Sequence, residues 1–227
     1  MIELNGEHTT KDRWPLKIIK LGPGESRAVD YTKDNDQFSS GTHYVLLRNA
    51  DFIGDNVKFE NVNAAFSVNH HYTIRCGKQG SAVIIQYPGL RLLENRYYVQ
   101  NELDMGNLSY IDGGTNTTAV NPGRLGDPVV NYVHFPANMY QTLHTHPSHR
   151  VGLVLKGNGQ VELDNEQFFD IKEGEAFFMR RNELHNFITK DEPVILFVFA
   201  PDSGTGPTDE VNPLKIRTYV GQQRFHR

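Results

Sequence analysis

The sequence predicts an all-β protein: a double-stranded β-helix, or jelly-roll barrel, in its second half and a second, degenerate jelly-roll in its first. Two observations carry this expectation. Aromatic and β-branched residues fall in short runs separated by Gly, Pro, Asn and Asp, the punctuation of a sandwich or barrel. Between residues 129 and 199 eight such runs follow one another closely enough to close a barrel. The 227 residues suffice for one large β domain or two small ones.

In the first half, strands are expected at 16–20, 27–31, 43–47, 57–60, 64–68, 72–76 and 82–86. That is enough for a smaller, metal-free barrel. His70 and His71 are neighbours on a strand and face opposite sides, so they do not share an ion. Residues 90–103 fit helix and strand equally well. The domain boundary is placed at Asp104-Met105-Gly106-Asn107, giving a β-rich unit over 1–104, a barrel over 105–201 and a tail over 202–227. The alternative is one barrel with an N-terminal extension that pairs with its edge strands.

In the second half the runs are 129–135, 139–145, 151–156, 159–163, 167–171, 176–179, 185–189 and 194–199. Lys156-Gly157-Asn158-Gly159 and Asp164-Asn165-Glu166 read as hairpin connections, and Lys172-Glu173-Gly174 as a tight turn that needs glycine. A last strand is expected at 214–220, against the N-terminal half or a second subunit.

A formal charge of −4 gives no reason to expect nucleic acid or an anionic membrane as a partner. Cys76 is the only cysteine, which excludes an intrachain disulfide. No apolar run reaches spanning length and the N-terminus lacks a secretory pattern, so a cytoplasmic location is expected.

The chemistry concentrates in Leu143-His144-Thr145-His146-Pro147-Ser148-His149-Arg150. Residues two apart on a strand share a face, so His144 and His146 project side by side at a spacing suited to one metal ion. His149 is out of phase with the pair and should point away. A third histidine, His185, lies farther along.

The spacing of these residues resembles the two motifs of the cupin superfamily, over roughly residues 105–200. The first reads Asn138, five residues, His144-Thr145-His146, three residues, Arg150, six residues, Gly157. The second reads Gly174, five residues, Arg180-Arg181-Asn182, two residues, His185, three residues, Thr189. Asn138 and Asn182 replace family glycines, a mild change because Asn tolerates the left-handed conformation. Arg150 replaces the glutamate that usually completes the metal shell. The resemblance implies a three-histidine set, His144, His146 and His185, holding a divalent ion with positions left open. Fe(II) is favoured, with Zn, Ni or Mn as the other choices. Some cupin dioxygenases likewise use three histidines without glutamate.

Three neutral imidazoles leave the ion's charge uncompensated, and strand alternation brings the Arg150 guanidinium to the same side. Burying that much positive charge calls for an anion. The expected function is therefore that of a metal-dependent, dioxygenase-like enzyme acting on a small acidic molecule clamped by Arg150. The alternatives are a non-catalytic sensing protein and a metal-dependent lyase or isomerase, for which His134 or Tyr140 would have to be the base. A homodimer formed through edge strands is also expected.

Overall fold

The computed structural model describes residues 1–31, 38, 40–92, 94–164, 167–203, 219–220 and 223–224. The first half contributes β1 (Ile2–Glu3), β2 (Glu7–Thr9), β3 (Lys17–Leu21), β4 (Ser26–Val29), β5 (Thr42–Gly54), β6 (Lys58–Val68), β7 (Tyr72–Tyr87) and β8 (Arg96–Val99). The second half contributes β9 (Leu108–Ser109), β10 (Thr115–Val120), β11 (Val129–Phe135), β12 (Arg150–Lys156), β13 (Gly159–Leu163), β14 (Gln167–Ile171), β15 (Ala176–Met179), β16 (His185–Thr189) and β17 (Val194–Ala200). Of the strand expected at 214–220, residues 214–218 lie outside the described residues. Tyr219–Val220 (β18) pairs with Gln223–Arg224 (β19).

The barrel is made by two sheets. The larger runs β1-β15-β12-β17-β11-β10-β9 and the smaller β14-β13-β16. Alternation along each strand sends one set of side chains into the space between them. Val133, Val154 and Leu196 from the large sheet meet Val161, Leu163 and Phe187 from the small one. The opposite set on the large sheet, including Val151, Leu153, Phe197 and Phe199, packs against Ile18, Leu46 and Ile85 of the N-terminal sheet. Both faces of the large sheet are thus apolar, which is why its strands read as near-continuous hydrophobic runs.

The N-terminal sheet runs β2-β3-β7-β5-β6-β8, with β4 also on β7. β5 and β7 are long, and β5 shifts register at Asn49, whose φ of 47° is left-handed. Such an irregularity bends a strand. Phe52 and Ile74, beyond the bend, share one apolar cluster with Val45 and Ile84, before it. Within the ambiguous stretch at 90–103, Arg96–Val99 form the strand β8. His70 bonds Tyr97 and His71 faces Asp30, so the two do not meet at one site.

Several ties cross between the halves. β1 pairs with β15, Ile2 opposite Phe178, so residues 2–3 join the sheet of the barrel. Arg48, buried on β5, donates from Nε to Leu155 O at 2.9 Å and from its amino groups to Gln79 O and the Glu173 carboxylate. Lys20 reaches the same turn, donating to Gly174 O at 2.8 Å. Arg48→Ala strands a buried carbonyl and loosens the 172–175 turn. It is expected to cost about 2–3 kcal/mol, measured as a shift in the midpoint of urea unfolding.

One expected strand does not form. Residues 139–145 meet β16 only at two isolated bridges, Tyr140 opposite Ile188 and His144 opposite His185. Between them the register slips by one residue, and Phe187 N donates to the Gln141 side-chain Oε1 at 3.2 Å instead of to its backbone. Among the described residues no helix is long and apolar enough to cross a membrane.

Candidate metal centre and ligand cavity

His144 and His185 stand opposite each other and exchange both backbone hydrogen bonds, His144 N to His185 O at 2.9 Å and His185 N to His144 O at 3.0 Å. This doubly bonded bridge places the two imidazoles side by side, with ring centroids 4.4 Å apart. His146 joins them at 4.9 Å from His144 and 5.1 Å from His185. Its backbone is fixed in turn, because His146 O accepts from Asn182 N at 2.6 Å. Asn138 and Asn182 both have φ of 58°, and Gly157 and Gly174 have 81° and 83°. All four are left-handed, so the asparagines fill positions that glycine would otherwise hold.

The nitrogens that the three histidines offer all lie within 4.8 Å of one another. Bonds of about 2.0–2.1 Å put two ligands of one ion at most about 4.2 Å apart, so the three are grouped for one ion in a spread slightly wider than a bound ion would impose. The tautomers also suit a metal. His144 Nδ1 lies 2.8 Å from Thr142 O and His185 Nδ1 2.7 Å from Glu183 O. A carbonyl only accepts, so each Nδ1 carries the proton and Nε2 keeps its lone pair. His146 Nδ1 is buried with no hydrogen-bond partner among the described residues. Three neutral imidazoles of this kind fit a divalent ion of intermediate softness.

The histidines are held neutral. Burial lowers all three and the neighbouring Arg150 charge lowers them further, while histidine neighbours add to the shift at His146 and His185. His185 falls to about 3. The unfolded chain therefore takes up protons near pH 6.5 that the folded, metal-free protein refuses, and stability drops as pH falls from 6.5 towards 3. Chelator-treated protein is expected to lose on the order of 1 kcal/mol per pH unit there. Urea titrations at a series of pH values measure the slope, which should flatten in His146→Asn.

The histidines open into a cavity of about 450 Å³ between the two sheets. Arg150 lines it, so the alternation from His144 and His146 survives Pro147. Its Nη1 is tied to Ser148 O at 3.1 Å, Ser148 Oγ at 2.9 Å and His149 O at 2.8 Å, which fixes the guanidinium in place. Burial pulls this arginine down to about 10, so it remains charged at neutral pH. Gln141, 1% exposed, also faces the cavity. Its Oε1 accepts from Phe187 N at 3.2 Å, which leaves its amide N–H groups as the part on offer.

His134 and Tyr140, expected as candidate bases, are not brought to the cavity. On β11 the lining residues are Val129, Asn131, Val133 and Phe135, so alternation turns His134 to the opposite side. Tyr140 is 62% exposed and donates its hydroxyl to Glu162. Glu162 is buried and also accepts from Asn186 Nδ2 at 3.1 Å. His149 points away from the cavity, as its phase predicts. Its Nδ1 accepts from Arg181 N at 3.0 Å and its Nε2 faces Asp12 at 3.0 Å. Phe177, Met179 and Phe187 line the cavity as well as the core, whereas Phe197 and Phe199 face the N-terminal sheet. Sequence reasoning missed Asn116, Thr118, Asn131 and Asp202, all on the cavity wall. The alternation Val129, Asn131, Val133 was the available signal for Asn131.

Residues 131–200, within the barrel, match the family model of the cupin domain. No curated protein matches the sequence. Among solved structures, a cupin 2 conserved barrel domain protein from Leptotrichia buccalis superposes with a TM-score of 0.57 at 15% identity, covering 88% of each chain. An IolB-like protein from Salmonella typhimurium gives 0.58 at 11%, covering 87% of this chain and 88% of that one. Salicylate 1,2-dioxygenase from Pseudaminobacter salicylatoxidans gives 0.53 at 13%, covering 82% of this chain and 70% of that one. At such identities the likeness is one of fold.

Proposed function

We propose that the protein is a metal-dependent, dioxygenase-like cupin enzyme that acts on a small anionic molecule. The observation that carries this reading is that Arg150 and the three histidines share one cavity, with the guanidinium fixed and charged beside neutral ligands. A fork of that kind suits a carboxylate, which it can hold with charge-assisted bonds. When bound, an ion such as Fe(II) supplies open coordination positions and redox chemistry towards O₂. The chain's own residues do the rest. Arg150 holds the acid group, the Gln141 amide donates a bond beside it, and Phe177, Met179 and Phe187 keep water from the reacting end.

Two observations support the oxygenase reading over a lyase or isomerase. Neither base offered by the sequence lines the cavity. A fold relative, salicylate 1,2-dioxygenase, is also known in complex with gentisate, a small hydroxylated aromatic acid. The test is O₂ consumption by protein loaded anaerobically with Fe(II), using salicylate and gentisate first and then a panel of acids. Uptake that depends on an acid supports the enzyme. Acid binding without uptake or any product by mass spectrometry leaves the non-catalytic binding protein.

A further inference from the structure

The register of the large sheet shows what lies opposite Arg150. Arg150 precedes Val151, which pairs with Phe199, so Ala200 stands beside it on β17. Val129 and Asn131 on β11 pair with Ala200 and Val198, and Thr118 and Asn116 on β10 pair with Asn131 and Val133. With strands about 4.8 Å apart, the backbone of β11 lies roughly 10 Å from that of β12, and β10 roughly 14 Å. Between them the cavity wall is low and apolar, made by Ala200 and Val198. The guanidinium is therefore separated from a polar patch of Asn116, Thr118 and Asn131 by a trough that fits one ring or a short chain.

That patch differs from the Arg150 end in a decisive way: it is polar but neutral. Two carboxamides and a hydroxyl offer both donors and acceptors and no charge. They are also poorly satisfied by each other. Asn116 Nδ2 reaches Asn131 Oδ1 only at 3.4 Å, the long limit of a hydrogen bond. Asn116 Oδ1 is buried and meets no partner among the described residues. A second carboxylate would find no counter-charge there, whereas a hydroxyl could both donate and accept.

We infer that the ligand is a monoanionic hydroxy acid bound lengthwise, its acid group on Arg150 and a hydroxyl at its far end on Asn116, Thr118 and Asn131. This rests on the anionic-ligand reading above and adds a second anchor, with Asn116 and Asn131 as specificity-determining residues. One hydrogen bond of ordinary strength corresponds to about a fivefold preference for the hydroxylated acid over its parent.

The test is calorimetric titration of Zn(II)-loaded protein with matched probes: benzoate, 3- and 4-hydroxybenzoate and terephthalate, and hexanoate with 6-hydroxyhexanoate. A hydroxy acid is expected to bind at least about fivefold more tightly than its parent, and terephthalate no better than benzoate. Asn131→Ala and Asn116→Ala should erase the hydroxyl preference; Thr118→Val serves where either fails to fold. Arg150→Met should weaken all the acids and keep the preference. Acids that bind without a hydroxyl preference, or a preference that survives all the patch variants, overturn this inference and leave the anionic reading standing. If no acid binds, both fall.

Discussion

His185→Ala protein should be purified with little or no bound metal, where the unaltered protein carries close to one ion per chain. The reason is geometric. His144 and His185 are fixed as a pair by their mutual backbone bonds, and His146 completes the set. With three ligands and no carboxylate in the set among the described residues, the loss of one leaves only two imidazoles. Even changes to groups that merely orient a ligand cost roughly 10–100-fold in metal affinity, so removal of a ligand itself should cost more. Elemental analysis of untagged protein measures it, with His134→Ala as the control because His134 lies outside the cavity. Equal metal in both variants would remove the three-histidine site from consideration.

Arg150→Met is expected to move two affinities in opposite directions. An acid that loses its partner guanidinium in a secluded site loses about 2–4 kcal/mol, or roughly 30–1000-fold in Kd. The same substitution removes a positive charge from the neighbourhood of the histidines, whose pKa values it helps to depress. A divalent ion feels that repulsion twice as strongly as a proton does, so metal affinity near pH 7 should rise several-fold rather than fall. Competition with a chromogenic chelator reads the metal, and calorimetry with benzoate reads the acid. A variant that loses metal and acid together would show that Arg150 supports the site structurally instead of serving the ligand.

Much of the barrel was legible because its residues obey period two. The runs at 129–135, 159–163, 167–171, 176–179 and 185–189 match β11, β13, β14, β15 and β16 residue for residue. The histidine cluster was legible for the same reason, together with the motif spacing. What escaped were decisions made between distant segments. The Gln141 side chain takes the Phe187 N–H, forty-six residues away, and the register slips, so a segment with strand composition has no continuous ladder. Glu162 looks like a solvent residue until Tyr140 and Asn186 are folded over it. Asn116 and Asn131 are ordinary polar residues in sequence; only the pairing of β10 with β11 makes them a wall of the cavity. The bend at Asn49 is likewise invisible to alternation, since it interrupts it.

The link between His149 and Asp12 and the pairing of β1 with β15 bear on the order in which the molecule assembles. Asp12 precedes His149 by 137 residues, and Ile2 must find Phe178. Contacts of such long range close late, because loop entropy has to be overcome before they contribute. During synthesis the histidine set cannot come together until the chain has emerged beyond residue 185. The histidine cluster is thus among the later parts of the protein to be finished, and a barrel cut away at residue 105 would be made without the segment that braces it.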